Sequence, residues 1–225
     1  MADRQDQAHT KAAAWRIFEQ HIAAVTPGGR LGRFGWKAQV PSLEEFVRDA
    51  VAAEMGMTMT AIPGLFFGIL SDDDGVPDAE FSQADAETML FYLRALAPPP
   101  RRGDLADPAI VEGETLFGVI GCSDCHIPAL VGPDGPVEAY SDFLLHEMLP
   151  PGSPGIEDGT ASMLEFRTAP LWGLALTGPY MHDGLSTTID DAVRAHAGEA
   201  SASRDAFVAL TEAEQASVLA FLESL

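Results

Sequence analysis

Two cysteines stand in the chain, and they are three residues apart, in Gly121-Cys122-Ser123-Asp124-Cys125-His126. The C-x-x-C-H spacing suits covalent attachment of a haem. Two thiols add to the two vinyl groups, one short turn presents both sulfurs to one edge of the macrocycle, and the next residue aims an imidazole at the iron. A zinc ribbon would need a second Cys or His pair at matching spacing, which the sequence lacks. A thioredoxin-like redox pair would follow a strand, whereas a helical pattern runs into this motif. One covalent haem c, held by Cys122, Cys125 and His126, is therefore expected.

An axial imidazole leaves the other side of the iron open to His146, Met148, Met163, Met181, His182 or His196. Arg167 and Trp172 are candidates for bonding the haem propionates, because buried carboxylates need charge-assisted partners; Arg167 paired with a neighbouring acid is the alternative. His182 and Asp183 are expected to fix a turn. Trp36 is expected in the core, with a place on an electron path as the other reading. Asp72, Asp74 and Asp78 have a calcium-loop-like spacing, but the full ligand pattern is missing, so a solvated acidic loop is favoured over calcium.

The elements that position these residues read as helices joined by long loops. Residues 11–25 carry Trp15, Phe18, Ile22 and Val25 on one face, ended by Pro27-Gly28-Gly29. Ser42 and Glu45 form an expected capping box ahead of the stripe Leu43, Phe46, Val47, Ala50 and Val51, and Gly56 ends that helix. Ser82 caps a helix over 83–96, and 98–103 is a Pro-rich linker. Helices follow over 109–126 and 187–196, with a short one around 142–148 in an otherwise irregular stretch. The last starts at Thr211, with Glu214 completing a capping box and Val218, Phe221, Leu222 and Leu225 on one face. Strand-like alternation is weak throughout. The expected class is all-α, with an N-terminal helical extension over 1–100 and a haem domain over 101–225.

The net charge of −21 makes nucleic acid an unfavourable partner, since nothing would neutralise a row of phosphates. Both lysines, Lys11 and Lys37, lie near the start, and the remainder is strongly acidic. A basic protein partner would be steered towards it, or the acid excess serves solubility alone. The longest apolar stretches, such as 61–70, are broken by Pro63, Gly64 and Gly68, so no membrane span is expected. The first twenty residues lack the pattern of a secretory signal.

Further segments carry a family resemblance: Gly32-Arg33-Phe34-Gly35-Trp36-Lys37, Pro41-Ser42-Leu43-Glu44-Glu45-Phe46, Tyr140-Ser141-Asp142-Phe143-Leu144-Leu145-His146, Phe166-Arg167-Thr168-Ala169-Pro170-Leu171-Trp172-Gly173, Gly178-Pro179-Tyr180-Met181-His182-Asp183-Gly184 and His196-Ala197-Gly198-Glu199-Ala200. Together with the C-x-x-C-H motif they resemble the di-haem oxidoreductases called thiol oxidoreductase-like, relatives of the di-haem cytochrome c peroxidases and MauG enzymes. The resemblance implies a cytochrome c-like domain whose first and last helices cross near a glycine and an aromatic residue. It also implies a periplasmic location, an electron donor or acceptor protein, and a second haem domain.

Such proteins carry an earlier C-x-x-C-H, which this chain lacks, so the chain resembles the C-terminal half, whose haem stores electrons. A fragment, a shortened single-haem protein and one half of an assembly are all expectations left open. In the related peroxidases the distal ligand lies fourteen residues beyond the His of Tyr-x-His-Asp-Gly. Here that motif is residues 180–184, and the position is His196. The resemblance thus implies His126/His196 ligation, with Met181 as the alternative. The function it implies is electron relay within a peroxidase-like oxidoreductase. A free-standing electron carrier and a peroxidase with an open iron site are the other readings.

Overall fold

The computed structural model describes residues 29–132 and 135–225. The helix expected over residues 11–25 lies outside them. Six α-helices appear among the described residues, with two small antiparallel ribbons.

Helix α1 (Leu43–Met55) begins where the Ser42 hydroxyl accepts the Glu45 N–H at 3.2 Å, and it ends on Gly56 at φ 68°. The expected reciprocal bond differs. The Glu45 carboxylate takes the Ser42 hydroxyl, the Arg30 guanidinium and the Phe66 N–H instead, tying three segments to one fully buried group. Helix α2 (Gln83–Ala95) is capped by Ser82. Val47, Val51, Met59, Ala86 and Leu90 form the apolar cluster between these two helices.

Helix α3 (Pro108–Val119) stops well short of residue 126. Gly121, at φ 87°, turns the chain out of the helix, and a short 3-10 turn, Cys122–Asp124, follows. Helix α4 (Ile189–Ala195) carries a Thr188/Asp191 capping box. Helix α5 (Ser201–Ala209) turns Ala206 and Phe207 to the core and is not among the helices expected from the sequence. Helix α6 (Glu212–Ser224) starts on the expected Thr211/Glu214 capping box.

The all-α expectation is corrected by four short strands. β1 (Leu130–Gly132) pairs with β2 (Gly135–Val137), and β3 (Leu145–Glu147) pairs with β4 (Glu165–Arg167). The helix expected around 142–148 is thus a turn leading into β3. The Ser141 hydroxyl and the Asp142 carboxylate capture the N–H groups of Phe143 and Leu144, which offers the backbone a turn in place of a helix.

Helices α3 and α6 cross at Gly113, where an added Cβ would lie 1.9 Å from the Ser217 carbonyl oxygen and 2.8 Å from Phe221 Cβ. Only glycine admits this approach. Phe117 and Phe221, ring centres 5.2 Å apart, fill the space beneath it with Tyr140 and Phe207. The segment ahead of α1 docks on β4. Arg167 N–H donates to Trp36 O at 2.8 Å, and Lys37 Nζ donates to the carbonyls of Ser162, Met163 and Glu165 while lying 3.7 Å from the Phe166 ring centre.

Candidate functional site

The turn after α3 delivers the cysteines. His126 N–H donates to Cys122 O at 3.0 Å, which closes one tight turn around the motif. Burial, then the nearby Asp124, pushes the Cys122 thiol up to about 11.

His126 keeps some accessible surface where it lines a cavity, but neighbouring atoms enclose the ring. That desolvation pushes its imidazole down to about 4, against the Tyr140 carbonyl, which favours the charged form. Nδ1 lies 2.8 Å from Tyr140 O; a carbonyl can only accept, so Nδ1 carries the proton and Nε2 keeps its lone pair. The tilted ring of Phe117 packs beside it, its centre 6.3 Å away and its plane inclined by 55°.

His196 repeats this arrangement at the C-terminus of α4. Its Nδ1 lies 2.6 Å from Ala192 O, leaving Nε2 as its free ligating atom. Burial lowers this imidazole too. Arg204 Nη1 donates to the His196 carbonyl at 2.9 Å. The centres of the His126 and His196 rings are 6.5 Å apart, with 54° between their planes.

Both histidines and both cysteines border one cavity of about 560 Å³ with largely apolar walls. Its volume lies within the ~300–1,000 Å³ typical of cofactor sites. Among the remaining sixth-ligand candidates, Met148, Met181 and His182 border it as well, while Met163 and His146 do not. Asp183 does fix a turn, accepting the Leu185 N–H at 3.1 Å, but His182 stacks on Phe166 with ring centres 4.1 Å apart and faces the cavity.

Arg167 borders the cavity and bonds carbonyl oxygens, Gly35 O at 3.0 Å among them; no carboxylate pairs with it among the described residues. The neighbouring-acid alternative is thereby set aside. Trp172 is a correction: it does not border the cavity, and its indole N–H donates to Glu138 O at 2.8 Å. Trp36 is another, being 50% exposed at the cavity rim rather than in the core. Arg204 and Glu199 reach the cavity from the loop and helix after His196, and sequence reasoning passed over both. The acidic loop gathers Asp72, Asp74 and Glu80 rather than Asp78. Asp72 and Asp74 each spend a carboxylate oxygen on a backbone N–H of the loop itself.

Residues 2–225 match the family described as "Di-haem oxidoreductase, putative peroxidase". The chain belongs to the di-haem oxidoreductase family. It is 27% identical over 219 residues to the methylamine utilization protein MauG of Methylorubrum extorquens, an alignment covering 85% of this chain and 60% of that protein. The chain therefore spans about 60% of the length of that relative. A solved structure of Kuenenia stuttgartiensis hydrazine synthase, pressurised with xenon, aligns at 22% identity over 64% of this chain and 56% of that one, with a TM-score of 0.47. Membership of a di-haem oxidoreductase family supports a haem redox role. No helix among the described residues is long and apolar enough to cross a membrane.

Proposed function

We propose that this chain is the electron-transfer half of a di-haem peroxidase-like oxidoreductase, built around one haem c bound covalently through Cys122 and Cys125. His126 and His196 are its axial ligands. The observation that carries the reading is the ring separation. Two metal–imidazole bonds of about 2 Å, with roughly 1 Å from each nitrogen to its ring centre, put the centres about 6 Å apart; the two rings here are 6.5 Å apart. Each Nδ1 is held by a backbone carbonyl, which fixes the tautomer and ring direction that metal-binding histidines need.

The haem supplies one-electron chemistry at the iron. The chain's own groups do the rest. With both neutral imidazoles engaged, His126 and His196 would hold the iron from either side and keep peroxide from it, which suits electron relay rather than oxygen activation. A pair of imidazoles also favours a lower potential than a thioether would, since methionine stabilises reduced iron more. Arg167 borders the cavity, lies over the Phe143 ring and has no carboxylate partner among the described residues, so it is the group suited to bond a propionate.

Residues 101–225 form the haem lobe of this reading, a cytochrome c-like domain resting on the crossing of α3 and α6 at Gly113. Residues 1–100 form an extension whose segment 33–40 docks beside the cavity. Partners follow from the family: an electron donor or acceptor protein, and a second haem domain. Periplasmic location follows from c-type attachment, which takes place outside the cytoplasm. The test is expression with haem c maturation machinery. One haem that stays with the polypeptide through acid–acetone extraction, and is lost with Cys122→Ser plus Cys125→Ser, supports the attachment; extractable haem contradicts it.

A further inference from the structure

The two segments that bear the proposed ligands are joined by a chain of charged side chains, Asp142 and His146 behind the cavity wall and Glu199 at its border. His146 lies on β3 and is 3% exposed. Its Nε2 is 2.9 Å from Asp142 Oδ2 and its Nδ1 is 3.0 Å from Glu199 Oε2. Carboxylates accept, so both ring nitrogens donate and the ring is an imidazolium held between two carboxylates. Asp142 N–H donates to Cys125 O at 2.9 Å, which anchors one end of the chain on the attachment motif. The second oxygen of Glu199 accepts the Glu147 N–H at 2.9 Å, which anchors the other end on β3, three residues after His196. Gly198 reinforces that end: an added Cβ would fall 2.0 Å from the Glu147 carbonyl oxygen.

We propose that Asp142, His146 and Glu199 are positioning residues that hold the His196 loop in register with the Cys122–His126 motif and so keep the sixth iron position closed. The inference rests on His126/His196 ligation. His196 closes a helix of seven residues, too short to hold its own end rigidly, and is followed only by the 3-10 turn Gly198–Ala200 before α5. Something outside α4 must therefore fix the imidazole's distance from the motif. Asp142 and His146 are buried, so their pairing contributes little net stability because desolvation offsets attraction; the value of the chain lies in specifying one arrangement of the two segments. The Asp142–His146–Glu199 chain sits where that specification is needed.

The test uses the haem-loaded chain, read by its ferric spectrum and by the rate of cyanide binding. In the parent protein cyanide must wait for His196 to leave the iron. His146→Leu and Glu199→Ala each remove one link. Each is expected to add a high-spin component and to speed cyanide binding about tenfold, as the open fraction grows. Glu199→Gln keeps an acceptor for the Glu147 N–H and is expected to fall between. Glu199, with a side chain 39% exposed, decides the matter alone if His146→Leu does not accumulate. Low-spin spectra and unchanged cyanide rates in haem-loaded Glu199→Ala overturn the positioning role, whatever His146→Leu shows. A parent protein that is already high-spin or methionine-ligated overturns the ligation reading and this inference with it, and that failure shows before any variant is made.

Discussion

The imidazoles of His126 and His196 stand 6.5 Å apart, centre to centre, although seventy residues separate them in sequence. Each ring is tied through Nδ1 to a carbonyl of its own neighbourhood, Tyr140 for one and Ala192 for the other. The pair reads as two halves of an axial ligand set, each preset before the other is engaged. Replacing His196 with Met keeps a ligating atom at the same place but exchanges imidazole for thioether. The midpoint potential is expected to rise by roughly 0.1 V, within the ~0.8 V that axial ligands command. Spectroelectrochemical titration checks this; an unchanged potential would mean that residue 196 is not bound to iron.

Arg167 places a positive charge on the cavity wall, held by carbonyl oxygens and the face of Phe143. A cation beside a haem favours the reduced iron. Arg167→Met is expected to lower the potential and to leave the spin state alone. A unit charge about 10 Å away at an effective dielectric near 20 is worth roughly 1–2 kcal/mol, or on the order of 50 mV for one electron. Titration of the haem-loaded variant measures the shift, and a rise in potential would count against Arg167 acting as a nearby charge.

How far the sequence foretold this arrangement depended on range. Ser82, Thr211 with Glu214, and Gly56 announce helix ends because their effects act within four residues. The C-x-x-C-H motif is local in the same way. The helix expected through residue 126 stops at Val119 because Gly121 adopts a left-handed conformation. The stretch from Asp142 to His146 has helical spacing, yet Ser141 and Asp142 spend their side chains on the backbone and β3 pairs with β4 twenty residues on. The partnership of His146 with Glu199 spans 53 residues and leaves no periodic trace. Trp172 was misplaced for a similar reason: its residue type suits a propionate, but a distant carbonyl, Glu138 O, claims its N–H.

Gly113 gives a stability prediction with a counterintuitive sign. Alanine in a helix interior normally gains up to about 1 kcal/mol over glycine. Here the new methyl would meet the Ser217 backbone oxygen at 1.9 Å, and a backbone carbonyl of a packed helix cannot swing aside. Gly113→Ala is expected to destabilise by about 1–3 kcal/mol through overpacking, a fall of roughly 3–10 °C in melting temperature. Differential scanning calorimetry of the haem-loaded protein reads this directly. A higher melting temperature would mean that α3 and α6 do not cross at this glycine.

Glu45 makes the first helical pair acid-sensitive. Burial pushes its carboxyl up, but hydrogen bonds from Arg30, Ser42 and the Phe66 N–H outweigh burial, and the folded value lies below the ordinary 4.5. A depressed carboxyl contributes stability above its unfolded value and loses it as pH falls through the folded one. Stability is therefore expected to fall as pH drops below 4.5, and Glu45→Gln should flatten that part of the profile. At neutral pH, Glu45→Ala should cost about 2 kcal/mol by stranding the Phe66 N–H and the Ser42 hydroxyl. Urea unfolding across pH 3 to 7, followed by far-ultraviolet circular dichroism, would show both effects. Equal slopes in the parent and the Gln variant would sink the assignment.

The most direct measurement is the near-infrared magnetic circular dichroism and absorption spectrum of the ferric protein, expressed with haem c maturation machinery. One covalent haem per chain is expected, low-spin, with the bands of two imidazole ligands, reduced to bis-histidine ferrohaem. A methionine-to-iron band, a high-spin ferric spectrum, or a chain that takes up no covalent haem would contradict it.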